Sequence, residues 1–180
     1  MTDAATREAR REELLSAATT AFARRGYFGT TTNEVATEAS ISQPYVVQYF
    51  GSKESLFLQV HERAGTLVTE QMRSVAAASA SMPTFVADYK RIVVEPTLLL
   101  VIMHAVFAAS VPAIGDRARE LFVRMYDILV NEAHATPEQA HEFLGKSLLL
   151  NTVLAMDIEN HLDENPWVKP LLDLINNNSE

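Results

Sequence analysis

The run Ser42-Gln43-Pro44-Tyr45-Val46-Val47-Gln48-Tyr49-Phe50 separates into two chemistries. Wound as a helix, it turns Val46, Tyr49 and Phe50 toward one side and leaves Gln43, Tyr45, Val47 and Gln48 largely elsewhere. A glutamine amide can pair bidentately with adenine, and an apolar side chain can touch a thymine methyl. Lys53 follows at the start of the next helical stretch. A cation there opposes the macrodipole, but together with the free N–H groups it would attract a phosphate. Thr31 and Thr32 open an earlier helix, where a hydroxyl suits either phosphate contact or capping. Phosphate contacts would position such a unit, while Gln43, Tyr45 and Gln48 would specify sequence. The same residues also suit a short helix with a plainly solvated face, and the pattern alone leaves both readings open.

Other chemistry finds no residue set. The chain has no cysteine, which removes disulfides, thiolate metal sites and thiol catalysis together. His61-Glu62 lacks the second histidine of the zinc-protease motif. His134, Glu138 and His141 straddle an expected break at Thr136-Pro137. There is no glycine-rich phosphate loop and no G-x-S-x-G elbow. No enzyme, cofactor or metal is therefore expected.

The elements that must hold these residues all read as helices. Leu14, Leu15, Ala18, Ala21 and Phe22 give residues 7–25 one apolar face, with Gly26 as the stop. Thr31 and Glu34 have the form of a capping box opening a short helix to about Ala39. Ser42 can cap the next, with Pro44 in its first turn, and Ser52 a long one to about Ala80. Two short helices joined by a tight turn after a longer one is the pattern of a helix-turn-helix. Beyond it, helices are expected at about 83–93, 96–110, 116–135, 137–161 and 166–175, with Val111-Pro112-Ala113-Ile114-Gly115 as a break and Asp116 as a cap. The expectation is an all-α chain of about nine helices, divided into residues 1–51 and 52–180.

At 180 residues with 48% apolar and 21% charged side chains, most of the chain must fold. The longest apolar stretch, Leu98–Val111, is too short for a membrane span, which needs about 20 residues. Residues 1–13 lack the apolar core of a secretory signal, so a cytoplasmic location is expected. The net charge of −8 is unevenly placed. Through Lys53, six basic residues balance six acidic ones, so the whole excess lies beyond. A neutral segment with clustered arginines can approach nucleic acid while the acidic mass stays away.

Residues 30–56, TTTNEVATEASISQPYVVQYFGSKESL, resemble the TetR family of bacterial transcriptional regulators. The resemblance is carried by Thr30-Thr31, Glu34-Val35-Ala36, Ala39, Ile41-Ser42, Tyr49-Phe50, Ser52-Lys53, Glu54 and Leu56, with Ala17-Ala18, Phe22 and Gly26-Tyr27 upstream. It covers about residues 10–60. Ser40 stands where the family usually has glycine, and Pro44-Tyr45-Val46-Val47 replaces the usual Gly-Thr-Leu-Tyr. Val47 thus occupies the place of the customary tyrosine.

The resemblance implies an N-terminal DNA-binding domain and a C-terminal domain for ligand binding and dimerisation. It implies a homodimer, here taken as a repressor, released from a palindromic site on double-stranded DNA by a small molecule. The DNA contacts would come from Thr31, Thr32, Ser42, Gln43, Tyr45, Val47, Gln48, Tyr49 and Lys53. A mostly hydrophobic effector pocket is expected from Leu99, Met103, His104, Phe107, Phe122, Met125, Tyr126 and Met156, since flexible methionines beside aromatics suit an adaptable apolar cavity. His104 among apolar residues equally suits a hydrogen-bonded core position. The expected dimer stripe is Phe143, Leu144, Ser147, Leu148, Asn151, Leu154, Ala155 and Ile158. The alternative is a helical ligand-binding or interaction protein whose helix-turn-helix has lost its affinity for DNA.

Overall fold

The computed structural model describes residues 2–91, 95–158, 166 and 169. Among these residues the chain is all-helical, with eight α-helices and one π-helical turn. In order they are α1 (Thr2–Gly29), α2 (Thr32–Glu38), α3 (Gln43–Phe50), α4 (Lys53–Ala78), α5 (Met82–Arg91), α6 (Pro96–Phe107), α7 (Pro112–Asp127), the π turn (Ile128–Glu132) and α8 (Pro137–Ala155). The expected helix at about 166–175 falls outside the described residues apart from Pro166 and Lys169.

The chain forms two compact units. The first takes Met1–Leu67 and Thr97–Leu121, the second Val68–Pro96 and Phe122–Glu180. In the first, Leu14, Leu15, Ala18 and Phe22 of α1 share a buried cluster with Val35 and Ala36 of α2 and with Val46 and Phe50 of α3. Leu56, Phe57, Val60 and Ala64 of α4 and Leu98, Val101 and Ala105 of α6 belong to the same cluster. In the second unit, Phe85 stacks on Tyr89 at 5.8 Å, and Phe143 meets both edge-on at 5.5 and 5.3 Å. Burial there pushes the Tyr89 hydroxyl up to about 12.

Local chemistry explains most boundaries. The capping box at α2 forms as its spacing requires: Glu34 N–H donates to Thr31 Oγ1 at 3.2 Å, and Thr31 N–H to Glu34 Oε2 at 2.8 Å. Ser52 accepts from Ser55 N–H at 3.0 Å. At α8, Thr136 and Gln139 make a second reciprocal pair, at 3.3 and 2.9 Å. Ser42 stands at the N-cap of α3 but its side chain makes no cap hydrogen bond.

Four expectations need correction. Pro112 begins α7 rather than breaking the chain, because its fixed φ suits a first helical position. Gly115 is buried inside that helix, where a Cβ would lie 2.5 Å from the Ala109 carbonyl oxygen; crowding, not bending, selects glycine there. Asp116, expected as a cap, instead pairs with Arg119 one turn on. The helix expected to about Ala135 gives way after Asp127 to the π turn, in which Ala133 N–H reaches back to the Ile128 carbonyl at 2.9 Å. Finally, α8 ends at Ala155, not near His161, and the left-handed Asp157 (φ 51°) follows two residues on.

The turn between α2 and α3 closes by a Schellman arrangement. Ile41 N–H donates to the Ala36 carbonyl at 2.9 Å and Ser40 N–H to that of Thr37 at 3.1 Å. This requires Ser40 to be left-handed, with φ 53°. An L side chain there costs about 1–2 kcal/mol. Ser40→Gly is therefore expected to stabilise the protein by about 0.5–1 kcal/mol, after the added freedom of the unfolded glycine is subtracted. Urea unfolding checks this, and a lower midpoint would count against the turn geometry.

Candidate nucleic-acid interface

Helix α3 divides as its sequence demands. Val46 and Phe50 are buried, whereas Ser42, Gln43, Pro44, Tyr45, Val47 and Gln48 are exposed. Tyr45 and Val47 show 40% and 42% of their surface, leaving an aromatic ring and a branched apolar group open on this face. Tyr49 is half-buried and bridges the two faces, its ring 6.1 Å from that of Tyr45 and 4.8 Å from that of Phe50. α2 stands behind α3 with Thr31 exposed and Thr32 half-buried. The Thr31 hydroxyl is engaged in its capping box. Gln43 Nε2 donates to Thr32 Oγ1 at 3.0 Å.

Charges surround this face in pairs. Arg24 meets Glu38 at 3.2 Å, Arg25 pairs with Glu34, and Arg10 meets Glu13 at 2.8 Å. The Thr31 N–H and hydroxyl, with Arg25, hold the Glu34 carboxyl below its ordinary range. Arg10 also lies over the Tyr45 ring at 6.0 Å. No periodicity within α1 or α3 could have revealed that pairing, which arises only from how the two helices pack.

Lys53 has a more structural place than its position at a helix start suggests. Its Nζ donates to the carbonyls of Tyr27 at 2.9 Å and Thr30 at 3.1 Å and lies 4.6 Å from the centre of the Tyr27 ring. Two of its three donors thus tie α4 to the end of α1. Lys53 thus has a structural role beside the phosphate contact expected from its place in the sequence. Lys53→Met keeps the stem and removes the donors. It is expected to cost about 1–2 kcal/mol even without DNA, because two carbonyls lose a charged partner. Thermal or urea unfolding reads this directly; unchanged stability would mean that these bonds contribute nothing in solution.

With this geometry in view, comparison with known proteins is direct. Residues 14–60 match the family described as bacterial regulatory proteins, tetR family. The match shows a TetR-type N-terminal domain over these residues. It is similar to the HTH-type transcriptional regulator HbdR of Aromatoleum sp. (strain CIB), at 38% identity over 76 residues, 42% of this chain and 33% of that protein. It is also similar to the HTH-type transcriptional activator FasR of Mycolicibacterium smegmatis, at 42% identity over 57 residues, 32% of this chain and 26% of that protein. The matches thus span a third or less of the curated relatives' length.

Among solved structures, a TetR-like transcriptional regulator from Rhodococcus sp. RHA1 superposes with a TM-score of 0.63 at 19% identity, over 82% of this chain and 85% of that one. The transcriptional regulator FadR from Bacillus subtilis, in complex with stearoyl-CoA, superposes with a TM-score of 0.55 at 14% identity, over 92% and 97%. At these identities the likeness is one of fold.

The expected effector residues fall into both units. Leu99, Met103, His104 and Phe107 lie in the first, and Phe122, Met125, Tyr126 and Met156 in the second. Met103 is buried; Leu99, Met125 and Tyr126 are half-buried. Phe107, Phe122 and Met156 are 70%, 53% and 55% exposed, so in the single chain they stand on the surface rather than walling a cavity. His104 Nε2 is engaged with the Ala23 carbonyl at 3.0 Å, and its ring packs against Gly26. That makes it a packing histidine of the first unit. The open cleft of about 590 Å³ lined by Arg10, Glu12, Glu13, Glu38 and Arg63 is charged, not apolar.

On α8, Leu148 and Leu149 are exposed and Ala155 likewise, while Leu144, Ser147 and Asn151 are half-buried. Phe143 departs from the expected stripe, because its ring is held by Phe85 and Tyr89 of the same chain. Ser147 bonds back to the Phe143 carbonyl at 2.9 Å. Ile158 lies beyond the end of α8, and the side chain of Leu154 is outside the described set. The sequence reading missed Phe122 as a surface residue and Val123, 65% exposed, altogether. Their one signal was adjacency, since Leu121, Phe122 and Val123 in succession cannot all face one side of a helix. Among the described residues no helix is long and apolar enough to cross a membrane.

Proposed function

We propose that this chain is a homodimeric, DNA-binding transcriptional regulator of the bacterial cytoplasm that works by binding and not by catalysis. In this reading Gln43, Tyr45, Val47 and Gln48 face the bases, while Thr31, Thr32, Ser42, Tyr49 and the remaining N–H of Lys53 hold the backbone. The observation that carries it is the division of α3, whose exposed face joins two amide side chains to an aromatic and a branched apolar group. Phe122, Val123, Leu148 and Leu149 form the apolar surface of α7 and α8 that a second copy would cover. Two such heads would read half-sites about 34–36 Å apart, or a multiple of that.

Release by a small hydrophobic effector, with repression as the default state, completes the reading. FadR's complex with stearoyl-CoA, whose acyl chain is apolar, supports a ligand with a hydrophobic part for a protein of this fold. Purified protein incubated with sheared genomic DNA is expected to enrich fragments sharing one inverted repeat, with affinity that falls steeply as salt rises. Enrichment without a shared repeat, or none after refolding to strip a carried ligand, would overturn this reading.

A further inference from the structure

Gln43 opens α3 and Thr32 opens α2, and their side chains meet across the helix-turn-helix. The hydrogen bond from Gln43 Nε2 to Thr32 Oγ1, 3.0 Å long, occupies one of the two amide N–H groups. The carbonyl oxygen and the other N–H remain. That remainder is one acceptor beside one donor.

In the major groove adenine offers a donor at N6 beside an acceptor at N7, so one acceptor and one donor match it. Guanine offers two acceptors, O6 and N7, against which the amide oxygen would stand unpaired. An unrestrained glutamine samples both amide orientations and must lose rotamer freedom of about 1.5–2 kcal/mol when it is fixed. Here the turn already sets the amide before DNA arrives, and such preorganisation adds to discrimination without a new contact to the base.

We infer that Thr32 is a positioning residue that orients the Gln43 amide to read adenine, so that each operator half-site carries an A beneath Gln43. The inference rests on the DNA-binding role proposed above and adds the base that α3 selects and the residue that enforces it. Thr32 keeps its own hydroxyl hydrogen for another acceptor, so holding Gln43 does not bar a contact to the DNA backbone.

The test is selection from a library of half-sites with each position randomised, using the full-length protein and three variants. The unaltered protein should favour A at one position by about 5- to 150-fold, the range of one good bidentate pair. Gln43→Ala should abolish that preference. Thr32→Val should reduce it severalfold while leaving preferences at other positions in place, and Thr32→Ser, which restores the hydroxyl, should recover it. Melting temperatures confirm that all three variants are folded.

Two results would overturn the inference. One is a Thr32→Val variant that binds every sequence more weakly with the A preference intact, as loss of a phosphate contact alone would produce. The other is a Gln43-dependent position that selects a base other than A. Failure of the unaltered protein to select any motif would instead remove the DNA-binding role itself, and the inference with it.

Discussion

Gly26→Ala is expected to destabilise the protein by about 2–4 kcal/mol, although the change adds a single methyl group. Two costs combine. Gly26 has φ 66° and ψ −177°, a region open essentially to glycine alone, and a side chain there costs about 1–3 kcal/mol. In addition, a Cβ would lie 2.7 Å from His104 Nδ1, so the imidazole must move. Moving it strains or breaks the bond to the Ala23 carbonyl, worth about 1 kcal/mol. Urea unfolding of Gly26→Ala, His104→Ala and the double variant separates the two. The steric part should vanish in the double variant, which will then be more stable than the sum of the single losses implies. The backbone part should remain. Strict additivity would mean that the ring and the glycine do not press on one another.

Phe57→Ala is expected to cost about 3–5 kcal/mol. Phe57 is fully buried, with its ring edge-on to Phe22 at 4.9 Å and 5.2 Å from that of Tyr27. It stands in the first turns of α4, beside Leu56 and Val60 in the cluster that also holds Val46 and Phe50 of α3. Its loss would therefore open a void in the cluster to which the buried face of α3 belongs. The variant should show a lower urea midpoint and weaker DNA binding together. Phe57→Leu should recover most of the stability, because it keeps much of the volume. A Phe57→Ala protein with unchanged stability would contradict the packing described here.

How much of this was legible beforehand depended on how far apart the interacting groups lie in the chain. The α2 capping box joins residues three apart, so Thr31 and Glu34 announce it by spacing alone. The two faces of α3 follow from helical period, and the sequence separates Val46 and Phe50 from Gln43, Val47 and Gln48 correctly. Proline was ambiguous. At Pro96 it marks a helix start, and at Pro112 it does the same where a break seemed equally natural, because both roles use the same fixed φ.

Longer-range partners were not legible. Lys53 is recognisable as a cation at a helix start, but the carbonyls it grips belong to residues 23 and 26 positions upstream. His104 bonds to a carbonyl 81 positions away, and nothing in its own helix distinguishes it from a ligand contact. The exposed pair Phe122-Val123 was hidden for a similar reason, since helical period alone does not say which apolar side meets a neighbour.

The return of residues 97–121 to the first unit bears on anyone who would exchange DNA specificities between relatives. A head cut and transplanted at residue 51 or 67 would leave behind Leu98, Val101 and Ala105, which complete its buried cluster, and the imidazole that braces Gly26. The graft would arrive with an apolar wound open to water, prone to aggregate before it met any operator. In the proposed DNA-binding role, specificity is portable as a handful of side chains on α2 and α3, not as a length of chain. On that proposal, drift in what the protein reads can proceed one surface residue at a time, while the buried cluster of the first unit stays in place.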